Sequence, residues 1–185
     1  MITESFDLPI LDWIAEHLHC DFLDFLMPAI TRMGDAGILW ISLAAMLLCL
    51  PKYRKAGLTM AAALVLGLLI CNVTLKPLVA RIRPFDYGGK EIVLLIPKPQ
   101  DFSFPSGHTN ASFAAATALL LHHRKEGICA MILAALIAFS RLYLYVHYPT
   151  DVLSSILLGA ATAFLATFLV NKGIALTHNK HKNIT

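Results

Sequence analysis

Apolar residues fill five stretches of this chain almost without interruption, and polar residues collect between them. The stretches run from about Ala36 to Leu50, Ala56 to Leu75, Ser106 to Leu121, Ile128 to Val146 and Asp151 to Val170. A helix rising 1.5 Å per residue needs about 20 apolar residues to cross the hydrocarbon core of a bilayer. All five come near that length, the first being short. The pattern predicts an all-α integral membrane helical bundle of about five to six transmembrane helices. Residues 6–33 read differently. Leu8, Leu11, Ile14 and Leu18 share one helical face and Phe22, Phe25, Leu26 and Ala29 another, but Asp7, Asp12, Glu16, Asp21 and Asp24 interrupt them. A carboxylate at the bilayer centre costs on the order of 3 kcal/mol. Two N-terminal amphipathic helices lying at the interface are therefore expected, in preference to one further ragged span. The expected organisation is a single domain, with interfacial helices over 1–34, a transmembrane core over 35–171 and a cytoplasmic tail over 172–185.

Composition agrees with a membrane. The 185 residues are 57% hydrophobic and 15% charged, where soluble domains average roughly 45–50% and 25%. Mean hydropathy is +0.67. The opening MITESFDLPI lacks the basic start of a secretory leader, so targeting is expected from the spans. Cys20, Cys49, Cys71 and Cys129 form no CxxC pair and no Cys/His zinc spacing. Neither a metal nor a cofactor is expected. The placement of charge says more than the net value of +3. Lys52, Arg54 and Lys55, then Arg124 and Lys125, then Lys172, Lys180 and Lys182 all fall on one side of a five-span arrangement. The positive-inside rule makes that side cytoplasmic and puts the loop from Lys76 to Pro105, with the turn at His147, outside. Yet that loop holds Lys76, Arg81, Arg83, Lys90 and Lys98, cations that topology leaves unexplained.

The outer side also gathers groups capable of chemistry. Taken singly, each has an ordinary explanation. Lys76 and Arg83 suit snorkelling cations. Ser106 suits an N-cap and Asp151 the first turn of a helix opened by Pro149. A lone His147 is more often structural than catalytic. Together they form a set. Lys76, Arg83 and Arg141 match the charge spread over phosphoryl oxygens. Ser106 and Gly107 begin a helix whose free N–H groups suit an anion. His108 and His147 can divide proton donation from attack. Asp151, four residues beyond His147, can accept the second imidazole N–H and fix its tautomer.

The strings KPLVARIRP (76–84), PSGH (105–108) and SRLYLYVHYPTD (140–151) resemble the three-part signature of the type 2 phosphatidic acid phosphatase superfamily, K-x6-RP, PSGH and SR-x5-H-x3-D. Every fixed position is filled. The resemblance implies a lipid phosphatase without a required metal. Lys76, Arg83, Ser106, Gly107 and Arg141 would bind phosphate, His108 would be the general acid, His147 the nucleophile that becomes phosphohistidine, and Asp151 its orienting partner. Larger bacterial relatives often have a further first span, whose place the N-terminal helices would take. The implied substrate is a lipid phosphate or diphosphate met at the outer face of a bacterial plasma membrane. Undecaprenyl diphosphate leads, as in the small undecaprenyl-diphosphatase-like members. Phosphatidylglycerophosphate or phosphatidic acid is the alternative, and a non-enzymatic lipid transporter or scramblase the remote one. The lipid and the bilayer are the expected partners, nucleic acid is not, and Tyr87-Gly88-Gly89 with residues 91–100 would shape the outer mouth.

Overall fold

A computed structural model describes residues 3–88 and 92–182. Gly89, Lys90 and Glu91 of the expected outer mouth, and the last three residues of the tail, lie outside the described residues. The apolar runs form helices, and no strand occurs among the described residues. They are α1 (Leu8–His17), α2 (Asp21–Arg32), α3 (Ile38–Cys49), α4 (Arg54–Gly67), α5 (Lys76–Val79), α6 (Gly107–His122), α7 (Arg124–Tyr143) and α8 (Pro149–Lys182). A wide-turn segment, Leu68–Leu75, joins α4 to α5 without leaving the helix. Pro149, which has no N–H to lose, opens α8.

Helix α6 forms the centre and packs against α4, α7 and α8. It can be central because it is narrow: Ala114, Ala115, Ala116 and Ala118 are all fully buried. Small residues let backbones approach in lipid, where packing rather than water exclusion holds helices together. Gly159 of α8 shows how close they come, since a Cβ there would sit 2.7 Å from the Asn110 carbonyl oxygen and 2.9 Å from Ala114 N. Large side chains point outward instead, among them Ile128, Ile132, Leu153, Leu157, Phe164 and Phe168. Such an apolar exterior suits lipid.

Among the described residues, three helical runs are long and apolar enough to cross a membrane: Arg54–Asp86, Arg124–Tyr143 and Pro149–Leu176. A fourth forms if α2 and Asp35–Cys49, bent by 42°, count as one. The expected first span is short because it is the second half of this bent pair, and the expected boundary at residue 34 falls at the bend. With 16 residues, α6 reaches only about 24 Å, and its neighbours enclose it. Helix α8 carries on past Val170 through most of the expected tail.

The N-terminal stretch forms two helices, α1 and α2. Its acids have a role the hydropathy argument did not give them, because several pair inward. Tyr145 Oη donates to Asp12 at 2.7 Å, and Tyr143 Oη to Asp24 at 2.5 Å. Leu11, Ile14 and Met27 pack on Tyr143, Leu144, Tyr145, Val146 and Tyr148, forming a second core that roofs the turn between α7 and α8. At the opposite end Tyr53 bonds Glu126 at 3.0 Å and lies 4.3 Å from the His123 ring. The basic clusters at 52–55 and 124–125 therefore share that end.

Gly159→Ala should lower stability by about 1–3 kcal/mol, because two backbones must separate. The outward Leu157→Ala should stay within about 0.5 kcal/mol. Thermal unfolding of both variants in one detergent checks the contrast.

Candidate active site

The site forms where four helix ends meet. Lys76 stands at the end of the run continued from α4. Pro84 holds Arg83 extended, at φ −74° and ψ 153°, and turns it into the protein. Ser106, also extended, caps α6. After α7 the backbone reverses through Tyr145, at φ +57°. Val146 N and His147 N both point back to the Arg141 carbonyl, at 3.2 and 3.4 Å. That fold-back carries His147 inward, beneath the N-terminal roof.

Lys76, Arg83, Gly107, His108, Arg141 and His147 all face one cavity of about 1010 Å³. Arg83 is buried, and its Nη1 donates to the Val146 carbonyl at 2.7 Å and lies 3.3 Å from His147 Nε2. Arg141 donates Nη1 to Thr31 Oγ1 at 2.5 Å. Arg141 Nε and His147 Nδ1 are buried without a hydrogen-bond partner among the described residues. Burial pushes His147 below the ordinary imidazole value, and Arg83 and Arg141 push the same way against Asp151. The ring is neutral at neutral pH, with a lone pair available.

Two expected site residues stand behind the cavity wall. Ser106 is fully buried, its N–H given to Ser155 Oγ at 2.8 Å and its Oγ 2.9 Å from Thr109 Oγ1. Here it fixes the start of α6. Asp151 was expected to accept the imidazole N–H. Its Oδ2 lies 3.6 Å from His147 Nδ1, beyond hydrogen-bond length. Other donors hold it there: Ser103 Oγ and Tyr148 N on Oδ2, at 2.5 and 3.0 Å, and Arg81 Nη1 on Oδ1 at 2.5 Å. The carboxylate is aligned with the imidazole one short step away.

Sequence reasoning missed two carboxylates that face the cavity. Asp101 is gripped by Lys76 through one oxygen and by Arg83 Nη2 at 2.6 Å through the other, and its carbonyl takes Arg83 Nε at 2.8 Å. Burial favours its protonated form, yet the two cations hold it well below the usual carboxylate range. Asp35 accepts from His108 Nε2 at 2.9 Å. The His108 ring packs so tightly on the bend that a Cβ at Gly34 would stand 2.6 Å from its Cδ2. Proximity to PSGH was the one available signal for Asp101. Asp35 had none, since only the bend between α2 and α3 brings it close. Among the described residues no group of three His, Cys, Asp or Glu side chains gathers as a metal site.

Comparison with known proteins gives the family and the fold. Residues 55–174 match the model of the PAP2 superfamily. The undecaprenyl-diphosphatase of Sulfolobus acidocaldarius is 36% identical over 152 residues, covering 82% of this chain and 72% of that protein. Among solved structures, LpxE of Aquifex aeolicus superposes with a TM-score of 0.75 at 26% identity, over 90% of this chain and 98% of its own. A transmembrane PAP2-type phosphatidylglycerolphosphate phosphatase from Bacillus subtilis gives 0.73 at 29% identity, over 92% and 87%.

Asp101→Asn leaves Lys76 and Arg83 with no competing carboxylate, so orthovanadate should inhibit several-fold more tightly than in the parent. An unchanged or weaker inhibition constant contradicts that reading. The midpoint of the His147 imidazole, followed by NMR on histidine-labelled protein, should lie below the usual 6.5.

Proposed function

Because this chain belongs to the PAP2 superfamily and is a membrane phosphatase, we propose that it hydrolyses undecaprenyl diphosphate to undecaprenyl phosphate and phosphate through a phosphohistidine on His147. The observation that carries this reading is the form of the cavity. One end is lined by Lys76, Arg83, Arg141 and both histidines. It continues between α3 and α4 along Ile41, Ala44, Leu48, Ala61, Leu64 and Val65. A cationic head joined to an apolar groove is complementary to an amphiphile with a phosphorylated headgroup.

The chemistry follows from the placement of the groups. His147 Nε2 attacks the terminal phosphorus, a P–N bond forms, and the bond to the bridging oxygen breaks. His108 gives its proton to that oxygen as undecaprenyl phosphate leaves. Water then attacks the phosphohistidine, His108 takes back a proton, and phosphate departs as the P–N bond breaks. Lys76, Arg83 and Arg141 balance the charge on the phosphoryl oxygens, joined by the Gly107 end of α6. Asp151 stabilises the imidazolium through the first step.

The site opens to the outside of a bacterial plasma membrane in this reading. The basic clusters at 52–55 and 124–125 share the opposite end, which supports it. Trp13, Phe22 and Phe25 are exposed on α1 and α2, as suits helices lying at the interface. Undecaprenyl diphosphate is released at that outer face when cell-wall polymers are transferred. The 36% identical relative bears the matching name. A second reading, phosphatidylglycerophosphate, draws on the likeness to the Bacillus subtilis structure.

Purified protein assayed side by side on undecaprenyl diphosphate, phosphatidylglycerophosphate and phosphatidic acid should release phosphate fastest from the first. Faster turnover of phosphatidylglycerophosphate installs the second reading. His147→Ala should abolish both phosphoenzyme and turnover, a loss on the order of 10⁴-fold or more. A rate equal to the parent's refutes the nucleophile assignment.

A further inference from the structure

Arg81 is not one of the fixed positions of the three motifs and does not face the large cavity, yet its guanidinium is among the most heavily bonded groups in the protein. Nη1 donates to Asp151 Oδ1 at 2.5 Å and to Thr150 Oγ1 at 2.8 Å. Nη2 donates to Asp7 Oδ2 at 2.6 Å and to Thr3 Oγ1 at 3.0 Å. Its flat face lies on the Tyr148 ring, 3.8 Å from the centroid. Even its backbone takes part, the Arg81 carbonyl accepting from Ser103 N at 2.8 Å. Ser103 in turn bonds the other oxygen of Asp151.

Asp7 completes the arrangement from the far end of the sequence. It is fully buried. It takes Thr150 N on Oδ1 at 3.0 Å and Thr150 Oγ1 on Oδ2 at 2.8 Å, so the N-terminal segment holds the first turn of α8. Two buried carboxylates thus share one guanidinium, and the group carries a net negative charge. We propose that Arg81 and Asp7 are positioning residues for the reaction: Arg81 holds Asp151 in line with His147, and Asp7 draws off part of the guanidinium charge so that Asp151 keeps its negative charge toward the imidazole. This rests on His147 being the nucleophile.

The geometry needs arginine. Its planar fork reaches Asp7 and Asp151 at once while lying flat on Tyr148, whereas a lysine ammonium is a single point charge. Without Arg81, Oδ1 of Asp151 loses its strongest donor, and the carboxylate can turn about the bonds that Ser103 and Tyr148 make to Oδ2. With Asp7 neutral, Arg81 is left wholly to Asp151 and offsets its charge. Both changes lower the stabilisation of the imidazolium formed during attack while leaving the phosphate-binding cations untouched. The expected effect is therefore on kcat and not on KM.

The test uses the full chain in detergent with undecaprenyl diphosphate, comparing Arg81→Ala, Arg81→Lys, Asp7→Asn, Asp151→Asn and the double variant Arg81→Ala/Asp151→Asn. Arg81→Ala should lower kcat on the order of 10²-fold, as small misplacements of reacting groups do, with KM nearly unchanged. Arg81→Lys should restore only part, and Asp7→Asn should show a smaller loss of the same kind. In the double variant Arg81→Ala should add little to the loss from Asp151→Asn, because both act through one carboxylate. Losses that multiply, or a kcat for Arg81→Ala equal to the parent's, overturn the proposal. Should Arg81→Ala not fold, the near-isosteric Asp7→Asn decides, since an unchanged kcat overturns the proposal as well. An enzyme that needs His147 and Asp151 but is indifferent to Arg81 overturns this inference alone. Indifference to His147 overturns it together with the mechanism it rests on.

Discussion

Four cations at one end of an apolar bundle have to be kept from repelling one another, and most of the architecture around the site answers that demand. Lys76, Arg81, Arg83 and Arg141 come from three different segments, and water reaches them poorly. Charges taken out of water are costly unless paired and hydrogen-bonded. Each therefore meets a partner from a distant part of the chain. Asp101 bridges Lys76 and Arg83, Asp7 and Asp151 share Arg81, and Thr31 accepts a hydrogen bond from Arg141. These partners come from the N-terminal helices, the loop before α6 and the first turn of α8. Bringing them to one point fixes how those pieces sit on the bundle.

The pairing also sorts the cations by role. Lys76 and Arg83 hold an exchangeable partner, since the Asp101 side chain is 54% exposed and lies on the cavity wall. Its two oxygens bond one cation each, so Lys76 and Arg83 are already turned toward one anionic group. The partners of Arg81 are fully buried and face away from the cavity. They are permanent structure. The difference in exposure separates groups that bind from groups that hold others in position, a distinction residue type alone does not make.

Much of this was legible in the sequence and some of it could not be. The five apolar stretches became helices because hydropathy directly reports burial in lipid, although α8 runs on to Lys182. Six of the eight expected site residues line one cavity because motif spacing follows helix ends, where free N–H groups and reversals are local properties. What escaped depends on long-range packing. Asp35 reaches His108 from 73 residues away and Asp7 reaches Arg81 from 74, and nothing local marks either contact. The N-terminal acids could be read only as obstacles to crossing lipid. Asp7, Asp12 and Asp24 turn out to be the bonds by which that segment is fastened. Ser106 is the converse case, since a residue type suited to phosphate has its N–H and Oγ engaged at the start of a helix.

The separation of binding from attack gives the site its working logic. A histidine that must attack phosphorus needs a lone pair, so it must stay neutral beside the cations that neutralise its target. Burial and the nearby Arg83 and Arg141 keep it neutral. In the proposed mechanism the imidazole becomes positive as the P–N bond forms, and the same cations then oppose it. A carboxylate fixed on the other side of the ring can offset that penalty. Asp151, with Oδ2 3.6 Å from Nδ1 and held by three donors, stands on that side of the ring. In the proposed mechanism the attraction to Asp151 grows as charge develops on the ring, and only an interaction stronger in the transition state than in the ground state accelerates the chemical step.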